Sequence, residues 1–327
     1  MKTFDLSKEY TFTDDLQKNL KLLKKLFGSK FYIKTSKYKI PVILEYKSLK
    51  YKKKYYYQLS YNIGRRETEL YPFQIDFITQ FNVGNDAYIA NINKTDKISG
   101  SNMINLVLEI LKKLNTNIAT LFDGTLVDCT EEIKMDLSFL KLIEKKKSFY
   151  EKFGFKYDIY SSYTKGFFNT NKDLYKKLHS DISKFRKIKI SYYKKLYTEV
   201  INMISTIFIK QDYQNVDIKV AQIDMWDNDY FYKPKDENRS YLIELISSLE
   251  NVLRIFNNSK NTLLYKLMIE LFNDKKKCID YGIIMKNIIN NRLYLIKYKN
   301  KKITFDNLEI FNNIEYIRYN NRLLYKF

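Results

Sequence analysis

The chain has little that a metal site or a nucleophilic triad could be built from. Of its 327 residues one is histidine, His179, and two are cysteines, Cys129 and Cys278, far apart in sequence. A zinc site of His/Cys type and a His-based triad therefore lack their side chains, and no metal site is expected. Two distant cysteines give no disulfide framework and no thiolate cluster. No uncharged apolar run reaches the ~18 residues that a membrane-spanning helix needs. The opening MKTFDLSKEYTF has no continuous apolar stretch of signal-peptide kind. The expectation is an intracellular, cytoplasmic protein without a membrane partner, located in the host cytoplasm or the virion if it is viral. Glycine is scarce, with eight in the chain, so each one asks for a local reason.

What is abundant is aromatic and basic. Hydrophobic residues make up 45% and aromatics 16%, enough for a buried core, and 327 residues suffice for two domains. The net charge of +21 invites a polyanionic partner. Two facts weaken that inference. Alanine occurs only at 87, 90, 119 and 221, while Lys, Asn, Ile and Tyr abound. These are the residues of A/T-rich codons, as in a large DNA virus or an A/T-rich protist. The charge is also diffuse: residues 1–160 hold 28 basic and 19 acidic residues, and 161–327 hold 30 and 18.

Periodicity divides the chain near residue 162. Residues 13–27 predict a helix with Thr13 as N-cap, an apolar stripe of Leu16, Leu20, Leu23 and Phe27, and Gly28 as the stop. Extended stretches at 30–46, 55–63, 73–81 and 87–92 come next, with polar turns at 47–54 and at Val83-Gly84-Asn85. A polar loop at 94–102 leads into a helix at 103–114, then a strand at 118–123 and a loop at 124–136. A helix at 138–153 and a strand at 155–162 complete this part. Beyond it, 171–209, 240–256 and 261–272 read as helices, 223–240 as a long loop carrying Pro234, and the C-terminal stretch as a small β meander. The fold class is α/β of the α+β kind. A mixed sheet with flanking helices spans 1–162, and a mainly helical accessory domain spans 163–327.

Two short stretches carry chemistry. Ile92 ends a strand, and Lys97-Ile98-Ser99-Gly100-Ser101-Asn102 leads to a helix opening near Met103. Backbone N–H groups at a helix start point at an anion, and a glycine lets the backbone approach it closely. The second stretch, SFYEKFGF at 148–155, places Tyr150 four residues before a Gly154-Phe155 pair.

In element order and in these two stretches the first half resembles the GNAT superfamily of N-acetyltransferases, whose acetyl-CoA motif reads [Arg/Gln]-x-x-Gly-x-[Gly/Ala]. Lys97 stands where that family has Arg or Gln, and Asn102 where it keeps Gly or Ala; Asn102 could instead N-cap the helix. The resemblance implies acetyl-CoA bound by Asn91, Ile92, Lys97, Gly100, Ser101 and Asn102. It also implies an amine substrate and Tyr150 as the acid that protonates the departing thiolate. A backbone N–H near Asn91–Ile92 would stabilise the developing oxyanion. Asp123 is a candidate base by position; Glu109 is expected to be solvated. The alternative is a catalytically inactive scaffold of this fold that binds nucleic acid or a protein partner through its basic surface. Lys50, Lys52, Lys53 and Lys54, beside Tyr51 and Tyr55–Tyr57, would then be the nucleic-acid site. A third reading makes 171–272 a helical interaction module.

Overall fold

The structure, a computed structural model, describes residues 1–49, 54–61, 71–78, 86–124, 126–128, 134–159, 168–223, 228–289, 293–305, 307–320 and 322–327. It is an α+β protein of two units, and neither is a continuous piece of chain. The first comprises Met1–Asp123, Tyr150–Tyr160 and Asn321–Phe327; the second comprises Gly124–Phe149 and Ser161–Asn320. The expected boundary at 162 is thus crossed again at the C-terminus, and residues 124–149 side with the second unit. The reason is a C-terminal strand whose partners periodicity cannot identify.

In the first unit, helix α1 (Leu16–Phe27) buries Leu16, Leu20 and Leu23. Its N-cap is Asp15, which accepts from the Lys18 N–H at 3.1 Å. Thr13, expected as the cap, instead gives its own N–H to the Asn19 side chain at 2.8 Å. Buried Asn19 also donates to the Leu114 carbonyl at 3.0 Å, tying the start of α1 to the segment after the second helix. Gly28 closes α1 at φ +83, a conformation that favours glycine.

Nine strands form one sheet, numbered along the whole chain. They are β1 (Thr3–Asp5), β2 (Lys30–Lys34), β3 (Lys39–Leu49), β4 (Lys54–Tyr61), β5 (Phe73–Ile78), β6 (Asp86–Ile92), β7 (Ile118–Leu121), β10 (Lys156–Asp158) and β15 (Arg322–Lys326). Their order is β1-β2-β3-β4-β5-β6-β7-β15-β10. The stretch 30–46 is two strands rather than one. Thr35 and Tyr38 close a turn between them, through the Thr35 N–H to Tyr38 carbonyl bond at 2.8 Å and the Tyr38 N–H to Thr35 Oγ1 bond at 2.9 Å. From β2 to β6 every pairing is antiparallel. β6 and β7 run parallel, as their connection through helix α2 (Gly100–Lys113) allows. β15 then pairs antiparallel with β7 on one side and β10 on the other. One face of the sheet is apolar, with Phe31, Val42, Leu59, Ile75, Phe77 and Ile89 buried at alternate positions.

The second unit begins with a short antiparallel pair, β8 (Leu126–Asp128) and β9 (Lys134–Asp136), in place of the loop expected over 124–136. Helix α3 (Leu137–Lys145) comes next, capped by Asp136. It stops eight residues short of the expected 153, at Lys146, whose φ is +61. The helical run 171–209 is two helices, α4 (Asn171–Phe185) and α5 (Ile190–Lys210). Then come α6 (Asn238–Asn258), α7 (Leu264–Asn273) and α8 (Cys278–Ile284), the last passing into a π-helical turn at Met285–Ile289. A second sheet has the order β12-β11-β13-β14, from β11 (Val216–Ile223), β12 (Asn228–Tyr232), β13 (Leu293–Tyr298) and β14 (Lys301–Thr304). β12 occupies part of the expected long loop. The expected C-terminal meander is confined to the β13–β14 hairpin. Helix α9 (Asn307–Asn320) comes after it, and β15 then leaves for the first sheet. Cys278 is buried at the start of α8, and Cys129 lies outside the described residues.

One buried ion pair organises this unit. The Arg318 side chain on α9 is fully buried and donates to Asp136, the cap of α3, and to Ser138 Oγ at 2.5 Å. Burial alone would raise the Asp136 carboxyl, but the hydrogen bond and charge of Arg318 outweigh it and hold the group below the usual carboxylate range. Removing one partner of such a pair strands the other. Arg318→Met should lower unfolding stability by about 3–5 kcal/mol in chemical denaturation. Because the folded-state pKa is depressed, the stabilisation is complete above the ordinary carboxylate value of about 4 and is lost as the pH falls through the folded value. The gap between wild type and variant should therefore narrow in acid; a gap independent of pH would contradict the assignment.

Candidate functional site

The stretch between β6 and α2 is organised from within. Thr95 Oγ1 accepts from the N–H groups of Lys97 at 3.3 Å and Ile98 at 3.0 Å, and Ile98 is buried as an anchor. Lys97 stays exposed. Ser99 is the N-cap of α2: its hydroxyl accepts from the Asn102 N–H at 3.3 Å, and its carbonyl accepts from the Met103 N–H at 2.9 Å. The helix therefore opens at Gly100 rather than Met103, and the capping role considered for Asn102 belongs to Ser99. Gly100 and Ser101 head the helix with N–H groups that have no place in its own ladder. A Cβ built at Gly100 would meet nothing within 4 Å, so no neighbour crowds the side-chain position there. The Asn102 carboxamide is exposed and donates to Tyr38 Oη at 3.0 Å. The N-terminus of a helix of 14 residues, with Lys97 nearby in sequence, favours an anion.

β7 is paired with β6 over its whole length, from Asp86↔Ile118 to Ile89↔Leu121, and β6 runs on to Ile92 beyond the end of β7. On its other side the register to β5 slips, Ile75 facing Ile89 and Gln74 facing Asn91, which leaves Ala90 as an extra residue. A bulge at that place bends the strand and re-aims the residues beyond it. Asn91 and Ile92, both half-buried, lie on the portion of β6 that extends past the end of β7. Across the seam the rings of Tyr88 and Phe122 meet edge to face at 6.3 Å. Asp123 is buried and Glu109 exposed, the latter as expected.

SFYEKFGF reaches the same place. Tyr150–Phe153 form a 3-10 turn, and Gly154 comes next at φ +97. A Cβ there would lie 3.0 Å from the ring of Tyr325 on β15, so both the backbone angle and the close approach require glycine. The turn sets Lys152 Nζ 3.1 Å from Ser101 Oγ, bringing a cation to the start of α2. Tyr150, two residues earlier, is 7% exposed and packs edge to face against Phe155 at 6.1 Å. Sequence reasoning singles out Tyr150 but passes over Lys152, which sits in the same short stretch. Its side-chain contact with Ser101 spans about fifty residues and leaves no local signal.

A second group escapes sequence reading. On the sheet face opposite the apolar one, the side-chain amides of Gln58 and Gln74 donate to Asp76 Oδ1 at 3.0 and 3.3 Å. Burial pushes the Asp76 carboxyl above its usual range, against the pull of those two amides and the charge of Lys47. Asp76 faces Tyr88 across the β5–β6 pairing, next to the bulge. Of the lysines assigned to nucleic acid, Lys50, Lys52 and Lys53 lie outside the described residues, and Lys54 opens β4. Nearby, Tyr46 and Tyr55 stack at 5.5 Å with their planes 2° apart, each more than half exposed.

Among the described residues no group of three His, Cys, Asp or Glu is placed to hold a metal, and no helix is long and apolar enough to cross a membrane. No protein-family model, curated protein or solved structure matches the chain. Gly154→Ala should cost about 1–3 kcal/mol of stability in urea unfolding, and Ser99→Ala about 1 kcal/mol through the lost cap. An unchanged midpoint for Gly154→Ala would mean that the backbone there is not held at positive φ.

Proposed function

We propose that the first unit is an acetyl-CoA-dependent N-acetyltransferase of the GNAT type, acting on an amine by direct transfer. The observation that carries the reading is the pair of parallel strands β6 and β7. They are joined through α2 inside an otherwise antiparallel stretch of sheet, and β6 continues past the end of β7 beside a bulge at Ala90. In this reading the unpaired end of β6 and the first amides of α2 together frame the cofactor's place. Lys152 and Lys97 add positive charge, as a pyrophosphate requires. The Asn102 side chain, where this family keeps a smaller residue, is engaged with Tyr38.

Acetyl-CoA supplies the acetyl group as a thioester, and the amine nitrogen takes it. In this reading the amides of Gly100 and Ser101, with Lys152, hold phosphate oxygens. The backbone at Asn91–Ile92, beyond the end of β7, offers an N–H toward the carbonyl oxygen. Asp76, its carboxyl raised by burial, is the candidate to take a proton from the incoming ammonium. The Tyr150 hydroxyl returns a proton to the leaving sulfur. Isothermal titration with acetyl-CoA should give saturable binding, weakened by Lys152→Glu. Tyr150→Phe should leave affinity similar and cut thiol release in the presence of primary amines about a hundredfold. No heat of binding at millimolar acetyl-CoA would contradict the reading.

A further inference from the structure

We propose that the solvent face of the four-stranded sheet in the second unit, β12-β11-β13-β14, binds single-stranded nucleic acid. This inference does not depend on acyl transfer in the first unit. Register sets two rows of side chains across that face. Tyr232, Lys219, Leu295 and Thr304 form one, since each is the direct partner of the next, with Leu295 buried between its neighbours. Asp217, Lys297 and Lys302 form the row beside it.

Three features of this face point to a polyanion carrying flat rings. Lys297 and Lys302 are direct cross-strand partners, both exposed, and neither forms an ion pair with a described residue. Like charges placed opposite each other destabilise a sheet, so folding alone gives no reason for the pair. The one acidic residue in the two rows, Asp217, is the partner of Lys297 and also lies 3.8 Å from Lys235, so the basic groups outnumber it. Finally, Tyr232 on the edge strand is 61% exposed, and the Lys219 ammonium lies 5.6 Å from its ring and 5.8 Å from that of Tyr294. An open phenol face beside ammonium groups is the arrangement on which bases stack while phosphates are neutralised. From Tyr232 to β14 is three strand spacings, about 14 Å, which suits a few unpaired nucleotides and offers no path to bases inside a duplex.

The test is fluorescence anisotropy of the full chain with labelled oligo-dT and oligo-U. Binding should weaken with salt, with a log–log slope of about −2 for three phosphate contacts. Tyr232→Ala should lower affinity about tenfold. Lys302→Glu should lower both affinity and slope; because it creates an opposite-charge pair with Lys297 on the edge strand β14, its thermal midpoint should hold or rise, which separates binding from folding. The proposal is overturned by no anisotropy change at low salt, or by variants that bind as tightly as wild type. It is equally overturned by loss confined to Tyr55→Ala in the first unit, by preference for duplex, or by competition from poly-glutamate as strong as that from the oligonucleotide.

Discussion

The pairing of the last strand with β7 and β10 is the interaction on which the first unit depends. β15 lies between them, its Leu323 fully buried, and supplies main-chain partners on both sides. Without it, β7 and β10 would each present an unpaired edge inside the sheet, with buried N–H and C=O groups to satisfy. The candidate site inherits this constraint. Tyr325 on β15 closes over Gly154, Gly154 ends the turn that carries Tyr150 and Lys152, and Lys152 reaches the start of α2. A strand from the far end of the chain therefore holds the local geometry at residue 150.

That closure has an entropic cost. The ends of the first unit's long excursion must meet before β15 gains any hydrogen bond, and such non-local pairing slows folding. The second unit fills the excursion with its own core and a buried Arg318–Asp136 contact that joins α9 to α3, the two ends of its sequence.

Much of this is legible in the residues, where the determining contacts are local. The stripes Leu16-Leu20-Leu23 and Ile104-Val107-Leu111 place α1 and α2. Gly28 and Gly154, scarce glycines behind apolar runs, both have positive φ. Within the site, a polar loop leads into a helix as expected, although the helix already takes in Gly100–Asn102, and the stretch at 148–155 comes to the same helix start. The failures share a cause. β15 alternates as an ordinary strand, and nothing in RLLYK says that its partners lie near residues 119 and 157. Helix α9 reads as part of a meander because its helical stripe, Ile310, Phe311, Ile314 and Ile317, is set among short alternating runs. β12 hides in a polar, aromatic segment whose strand character comes from pairing with β11. Asp76 and Lys152 gain their roles from partners on other strands and helices.

The most direct measurement is hydrogen exchange of the C-terminal peptide. With β15 inside a sheet, the amides of Arg322–Lys326 should exchange as slowly as those of β4 and β5, and their protection should fall together with that of β7 when denaturant is added. Exchange of residues 322–326 at the rate of a free terminus, with β7 still protected, would contradict the closure that holds the first unit and its site together.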